Sequence, residues 1–238
     1  MPADQAKTRR YAVYFAPSEA SALWRFGCRW LGRDAVSGDP ITQPAADGID
    51  PGRLADVTEA PRFYGFHATM KPPFHLRDGM EEAGLLEAMK SFAAGSESFR
   101  AGPLKVDRLG RFIALVLSAP SPPMDNFAAS CVRAFDGFRA KPSRRDMNRR
   151  RLHGLTDRQE AYLKRWGYPY VMEEFRFHMS LTGGLDDDAL RTRIETALDG
   201  LFAPIAADPL VVDSVCLFCQ EDRRSPFMLT KRFALGGK

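Results

Sequence analysis

Two short segments of the chain each place a histidine two positions before a hydroxyl residue. His67 precedes Thr69, and His178 precedes Ser180. On an extended strand, side chains two positions apart point to the same face. Each segment therefore presents an imidazole together with a hydroxyl, and the repetition of this pair predicts an active site.

Two histidines in one site are suited to acid–base catalysis at a phosphodiester. Imidazole is the side chain whose ordinary pKa lies near neutrality, so one ring can be neutral while the other is protonated. The neutral ring takes a proton from the attacking water, and the protonated ring gives one to the leaving oxygen. We predict that His67 and His178 are catalytic, with no metal and no cofactor, and that the pH profile is bell-shaped around neutrality.

Four further residues are predicted to bind the phosphate. The hydroxyls of Thr69 and Ser180 can donate to its non-bridging oxygens. Lys71 and Arg176 are expected on the same strand faces as the histidines, where each adds a positive charge.

The two histidines are expected within strands that have one apolar face. The predicted strands span residues 62–71 and 174–182, and Pro72 and Pro73 are expected to end the first one. The apolar faces consist of Tyr64, Phe66, Ala68 and Met70 in the first strand, and of Phe175, Phe177, Met179 and Leu181 in the second. The opposite, polar faces would then line a groove.

Several short patterns occur twice in the same order, which indicates an internal duplication. Ala-Pro-Ser closes a strand at residues 16–18 and again at 119–121. Phe-His occurs at residues 66–67 and again at 177–178. We predict an α+β fold: one domain over residues 1–238, made of two pseudo-symmetric lobes at about 10–110 and 111–236. Each lobe would be a mostly antiparallel sheet with helices on one face, and the active-site groove would lie between the lobes.

Other elements follow from periodicity and from the positions of Gly and Pro. Helices are predicted at residues 18–32, 81–93 and 187–198, strands at 11–15, 103–109, 112–117, 209–213, 216–220 and 227–235, and irregular connections at 38–61 and 141–167.

The composition is that of a globular protein. Of 238 residues, 45% are hydrophobic and 27% charged, and the net charge is +4. No run approaches the roughly 20 apolar residues that span a bilayer, and the start does not resemble a signal peptide. We therefore expect a cytoplasmic protein without a membrane or DNA partner, and the mild positive charge suits a small phosphorylated substrate.

The basic residues are concentrated in the segment 141–151. A solvated loop is the favoured interpretation, and a positively charged flap beside an anion site is the alternative. His75 is expected in a loop, and His153 is expected to do no more than contact the substrate.

Cys216 and Cys219 have the spacing of a zinc or redox pair. A zinc site would need a second pair of ligands, which the sequence lacks. We predict that these cysteines, with Cys28 and Cys131, are packed thiols.

The paired segments His67-Ala-Thr69 and His178-Met-Ser180 resemble the two signature motifs of the 2H phosphoesterase superfamily. Residues 10–17, 64–74 and 165–178 are similar to an uncharacterised family found with phosphonate-degradation operons. The resemblance implies two lobes around a cleft, and phosphodiesterase or RNA-end chemistry that needs no metal. Ser180 stands where threonine is more usual.

The resemblance also implies a substrate, a ribosyl cyclic phosphate of the kind left by carbon–phosphorus bond cleavage. Two alternatives remain within enzymes. One is a 2′,3′-cyclic nucleotide phosphodiesterase or RNA end-processing enzyme, in which Tyr64, Tyr168 and Tyr170 would contact the substrate by stacking on a base. The other is a metallohydrolase. A non-catalytic protein that binds phosphorylated ligands or RNA is a further alternative, and RNA is the less favoured partner.

Overall fold

The structure, a computed structural model, describes residues 9–152, 154–206 and 208–236, so His153 lies outside the described residues. The strands are β1 (Arg10–Phe15), β2 (Ala68–Phe74), β3 (Phe99–Gly102), β4 (Leu104–Leu109), β5 (Phe112–Leu117), β6 (Met179–Ser180), β7 (Leu210–Val212), β8 (Ser214–Gln220) and β9 (Met228–Ala234). The helices are α1 (Ala22–Leu31), α2 (Pro51–Tyr64), α3 (Glu82–Ala94), α4 (Pro122–Phe135), α5 (Arg144–Arg151), α6 (Asp157–Trp166) and α7 (Asp188–Ala206).

The strands form antiparallel sheets, which confirms the α+β prediction. One sheet has the order β2-β1-β8-β9, a second has the order β4-β5-β6, and β3 pairs with β7. Residues 11–15 of β1 and all of β8 are buried. These strands are therefore covered on both faces, with apolar side chains pointing both ways.

The sheets do not divide at the predicted boundary between residues 110 and 111. β8 and β9 lie late in the chain, yet they share a sheet with β1 and β2, and β4 pairs with β5 across the boundary. A buried strand such as β1 needs hydrogen-bonding partners along both edges, and distant parts of the chain supply them. The prediction that each lobe is one continuous segment of the chain is therefore wrong. The internal duplication stays a prediction.

The predicted strand at residues 62–71 is wrong in its first part. Residues 51–64, of which 51–61 were expected to be irregular, form helix α2, which begins with Asp50 as N-cap and a proline in its first turn. β2 starts only at Ala68, and it continues through Pro72 and Pro73 instead of ending there. β2 is an edge strand, where a proline without an N–H group is tolerated.

The second histidine segment is also less extended than predicted. Of residues 174–182, only Met179 and Ser180 form a strand. The connection at 141–167 contains α5 and α6, which are capped by Ser143 and Thr156. α5 has no buried residue, so it lacks the apolar stripe that would have predicted it.

The remaining helix and thiol predictions agree with the structure in outline. The first helix, predicted at residues 18–32, begins after Ser21 as its N-cap and ends before Gly32. Cys28, Cys131, Cys216 and Cys219 are buried and free, as packed thiols should be. Burial raises the pKa of Cys216 to about 11, which keeps this thiol protonated. Over the described ranges, no helix has both the length and the apolar character needed to cross a membrane.

Candidate active site

His67 is placed by a sharp turn that follows helix α2. Gly65 has a φ of +80°, and a Cβ at this position would lie 2.7 Å from the Cβ of Ala35. The carbonyl of Gly65 lies 2.9 Å from Nδ1 of His67, and Nε2 lies 3.2 Å from Oγ1 of Thr69. A carbonyl oxygen can only accept, so Nδ1 carries the proton and Nε2 is the basic nitrogen.

The aromatic surroundings of His67 keep it neutral. Its ring stacks on Tyr14 of β1, with centroids 3.7 Å apart, and Phe218 of β8 lies 5.9 Å away. Burial is the main cause that lowers the pKa of His67 to about 3, and the charge of a protonated His178 contributes to the same lowering. The imidazole is therefore the free base at neutral pH.

His178 has the same local hydrogen bond as His67. Its Nδ1 lies 2.8 Å from the carbonyl oxygen of Arg176, two residues earlier, so Nε2 is again the basic nitrogen. Phe112 of β5 packs near the ring, with centroids 5.6 Å apart. Burial lowers the pKa of His178 as well. Ser180 follows on β6, opposite Ala114 of β5.

The predicted site residues other than Lys71 line two adjoining cavities of about 480 and 380 Å³. His178 and Arg176 line the larger cavity, whereas His67 and Ser180 line the smaller one. The two cavities share their lining residues Thr69, Pro72, Phe112 and Tyr168. The imidazoles and hydroxyls of both segments therefore face connected space.

Lys71 does not lie in this space, which corrects its predicted role. Its side chain is 1% exposed, and Nζ lies 3.1 Å from Oδ1 of Asp136 and 3.3 Å from the carbonyl oxygen of Val132. Burial lowers the pKa of Lys71 to about 8, although Asp136 partly offsets the effect.

A register shift between β1 and β2 explains the position of Lys71. Thr69 pairs with Tyr14, whereas Lys71 pairs with Val13, the next residue of β1. Neighbouring residues on β1 point to opposite faces, so Thr69 and Lys71 do as well. The alternation assumed from the sequence breaks at Met70, the extra residue of the bulge.

The other predicted residues are at the cavities. Arg176 is exposed at the larger one, and Tyr170, 44% exposed, lines the same cavity. Tyr168 lines both cavities, and Tyr64 lines the smaller one, where it stacks on Phe227 with centroids 5.2 Å apart.

Three residues at the smaller cavity were missed. Tyr14 carries the stacked face for His67, and Arg10 and Arg150 also line this cavity. Arg150 lies over the ring of Tyr168, 4.5 Å from its centroid. It was part of the basic segment that the sequence singled out, but nothing in the sequence distinguished it from its neighbours. Among the described residues, no group of three or more His, Cys, Asp or Glu side chains is arranged to hold a metal ion.

Replacing Lys71 tests whether this residue stabilises the fold or binds the phosphate. We expect Lys71→Met to keep KM for the substrate within about twofold and to change the free energy of unfolding by no more than about 2 kcal/mol, since Asp136 keeps its ion pair with Arg139. Steady-state kinetics and urea unfolding measure both quantities. A tenfold or larger rise in KM would return Lys71 to the phosphate site.

The lowered pKa of His67 predicts acid sensitivity. Below pH 6.5 the unfolded chain binds a proton at this histidine that the folded protein does not bind, so the free energy of unfolding falls as the pH drops from 6.5 towards 3. Urea unfolding at pH 7.5 and 5.0 should show a loss about 1–2 kcal/mol larger in the wild type than in His67→Gln. Equal losses in both proteins would contradict the neutral, buried state of this ring.

Comparison with known proteins places the chain among longer relatives. It is 37% identical over 232 residues to a protein of Janthinobacterium sp. (strain Marseille) named ribose 1,5-bisphosphate phosphokinase PhnN. It is 32% identical over 227 residues to the protein of the same name from Laribacter hongkongensis (strain HLHK9). The alignments cover 96% and 93% of this chain but 51% of each relative, so the chain spans about half the length of the curated relatives it matches.

Solved structures and a family model also match. A crystal structure described as a phosphoesterase aligns over 97% of this chain and 99% of its own, with 12% identity and a TM-score of 0.44. The family model is described as a protein of unknown function, DUF1045, and it matches residues 69–228. This match begins at the first hydroxyl of the site and includes His178 and Ser180, and it extends over more than half of the sequence. The chain therefore belongs to the DUF1045 family.

Proposed function

We propose that this protein is a metal-independent phosphodiesterase that hydrolyses a cyclic phosphodiester by acid–base catalysis with two histidines. The observation that carries the proposal is the repeated geometry of His67 and His178. Each ring donates Nδ1–H to the carbonyl two residues earlier, which leaves Nε2 to exchange a proton, and each is followed by a hydroxyl residue at the same cavities. The motif pair of the 2H phosphoesterases has this same composition.

The two histidines share the proton transfers unequally. Both are neutral in the free protein, because burial lowers both pKa values. Burial against Tyr14 lowers the pKa of His67 to about 3, whereas His178 lines the larger cavity, so we assign the first proton to His178. His67 then serves as the base and His178 as the acid.

The reaction is hydrolysis of a ring phosphate. Nε2 of His67 takes a proton from water as the water oxygen bonds to phosphorus. The bond from phosphorus to one ring oxygen breaks, and Nε2–H of His178 protonates that oxygen. The product is a phosphate monoester with a free hydroxyl. Exchange of one proton with solvent restores the starting state.

The phosphate is held by groups that surround the histidines. The hydroxyl of Thr69 donates to Nε2 of His67 in the free protein and can turn to a phosphate oxygen when substrate binds. Ser180 offers a second hydroxyl, and Arg176 adds charge at the cavity mouth. The negative phosphate raises the pKa of a nearby histidine, which supports the protonated state of His178 in the complex.

The substrate we propose is a ribosyl cyclic phosphate from phosphonate catabolism. The name of the two curated relatives includes ribose 1,5-bisphosphate. Opening a ribosyl cyclic phosphate gives a ribose phosphate monoester, which belongs to the same class of compound. Cavities of about 480 and 380 Å³ are large enough for a phosphorylated sugar.

A second candidate is hydrolysis of nucleoside 2′,3′-cyclic phosphates or of RNA ends. The observation that favours it is the pair Tyr168 and Tyr170 at the larger cavity, with ring centroids 5.7 Å apart. Such rings could stack on a base. The Arg150 guanidinium already lies over one of them, which makes this the weaker candidate.

Turnover of a panel of cyclic phosphates tests the proposal. With chelator present, we expect hydrolysis of ribose 1,2-cyclic phosphate, and we expect the His67→Ala/His178→Ala variant to lose at least about a thousandfold in kcat/KM because both proton transfers are removed. Nucleoside 2′,3′-cyclic and 3′,5′-cyclic phosphates complete the panel.

The matched control for this assay is Lys71→Met, which changes a buried residue outside the cavities. A preference for the 2′,3′-cyclic nucleotide would establish the second candidate. If folded wild-type protein hydrolysed no member of the panel, or if the double-histidine variant remained active, the two-histidine proposal would be wrong and a binding role would gain support.

The sequence predicts a pH profile of turnover centred on neutrality. Because the pKa values of both histidines are lowered, we expect the profile to be shifted to lower pH. The free-protein pKa of His178 is below 6.5, so kcat/KM should fall on the alkaline side with a midpoint below pH 6.5. The same limb in kcat should lie at higher pH, because bound phosphate raises the pKa of this histidine. Initial rates between pH 4.5 and 9 measure both limbs. A flat profile would count against this assignment, and so would an alkaline midpoint that is the same in kcat and in kcat/KM.

A further inference from the structure

A third cavity, of about 240 Å³, adjoins the smaller active-site cavity. The two share Arg10, Pro73 and Arg150 as lining residues. The third cavity is basic: its lining includes Arg10, Arg139, Lys141, Arg150 and Arg223. We call it the basic cavity. It joins the segment 141–151 to the predicted active site.

Some of this charge is already balanced. Arg139 forms an ion pair with Asp136, with Nε 2.8 Å from Oδ1. Asp146 is the acidic residue among the described lining residues, and it accepts hydrogen bonds from Ser143 and Arg149. A single carboxylate cannot neutralise the remaining cations, so the cavity keeps a positive potential.

Arg150 is the residue in this cavity that most clearly lacks a partner. Its Nε is buried without a hydrogen bond, and its guanidinium lies over the ring of Tyr168. In the described part of the chain, no carboxylate lies within 4.0 Å of the guanidinium of Arg150 or Arg10. A buried N–H group of a cation without an acceptor is costly, and an anion bound in either of the two cavities that Arg150 lines would offset its positive charge.

The position of Arg150 connects this unsatisfied group to the histidines. Arg150 and Arg10 line the smaller active-site cavity, which His67 and Ser180 also line, as well as the basic cavity. A substrate held at the histidines by one phosphate can therefore extend past these arginines. Guanidinium groups bind phosphate through paired N–H donors.

We propose that the basic cavity binds a second phosphate group of the same substrate, a phosphomonoester, and that Arg150 is the residue that selects for it. This inference rests on the proposed function and deepens it. The substrate class is then a sugar that carries a cyclic phosphodiester at one end and a phosphomonoester at the other. The product would be a sugar bisphosphate, so an enzyme that consumes this product must itself accept two phosphate groups.

The test compares two substrates that differ by one group, ribose 1,2-cyclic phosphate with and without a phosphate on the 5-hydroxyl. The measured quantity is the ratio of their kcat/KM values. We expect the wild type to favour the phosphorylated substrate at least about tenfold, and Arg150→Met to lose most of this preference, mainly through KM.

Arg145→Met is the matched control, because Arg145 is an exposed residue of the same helix that does not line the basic cavity. It should keep the wild-type ratio. Equal kcat/KM values for the two substrates in the wild type, or equal losses of preference in both variants, would overturn the second-phosphate site while leaving the phosphodiesterase proposal intact. Hydrolysis of neither substrate would instead contradict the proposed function.

If neither substrate is hydrolysed, a binding measurement still tests the second-phosphate site. Inorganic phosphate is titrated calorimetrically into the His67→Ala/His178→Ala variant, with and without Arg150→Met. Binding that weakens at least about tenfold on the added change supports an anion site at Arg150. Absent binding, or binding unaffected by the change, overturns it. Circular dichroism shows that each variant is folded.

Discussion

The hydrogen bond from each histidine Nδ1 to the carbonyl two residues earlier is the constraint on which the site depends. It links His67 to Gly65 and His178 to Arg176, and it fixes Nε2 as the nitrogen available for proton transfer. For His67 this bond requires a left-handed glycine, because a side chain at residue 65 would collide with Ala35. The orientation of Nε2 in both histidines is thus decided by local backbone geometry, and the surrounding sheets hold that geometry in place.

Aromatic packing supplies the second requirement, which is the protonation state. Tyr14 and Phe218 come from β1 and β8, neighbours in one sheet although they are far apart in the chain. Their rings remove water from one side of His67, and this lowers its pKa. In the proposed mechanism both histidines stay neutral until an anionic substrate binds, so that substrate binding and protonation of His178 are coupled. The positive charges at the cavities attract such an anion.

The positive side chains near the site fall into two groups, those that form ion pairs with carboxylates and those that face the cavities. Lys71 of β2 is buried against the Val132 carbonyl of α4 and against Asp136, which directly follows α4 and also pairs with Arg139. Arg10, Arg150 and Arg176 instead face the cavities. The positive charges are therefore not equivalent: among the described residues, Arg10 and Arg150 line the smaller cavity without a carboxylate partner, whereas Lys71 is buried against Asp136.

The sequence alone was sufficient to predict the α+β class, strands β4 and β5, the packed thiols and the two histidine–hydroxyl pairs, because each rests on local alternation or on the types of neighbouring residues. It could not predict that Lys71 turns away from Thr69, since the register shift is a property of the pairing of β2 with β1. Nor could it single out Arg150 within a run of basic residues, since α5 has no apolar stripe and only its packing beside Tyr168 brings this arginine to the cavity. Side-chain spacing is encoded locally, but what a side chain meets is decided by strands and helices that are distant in the chain.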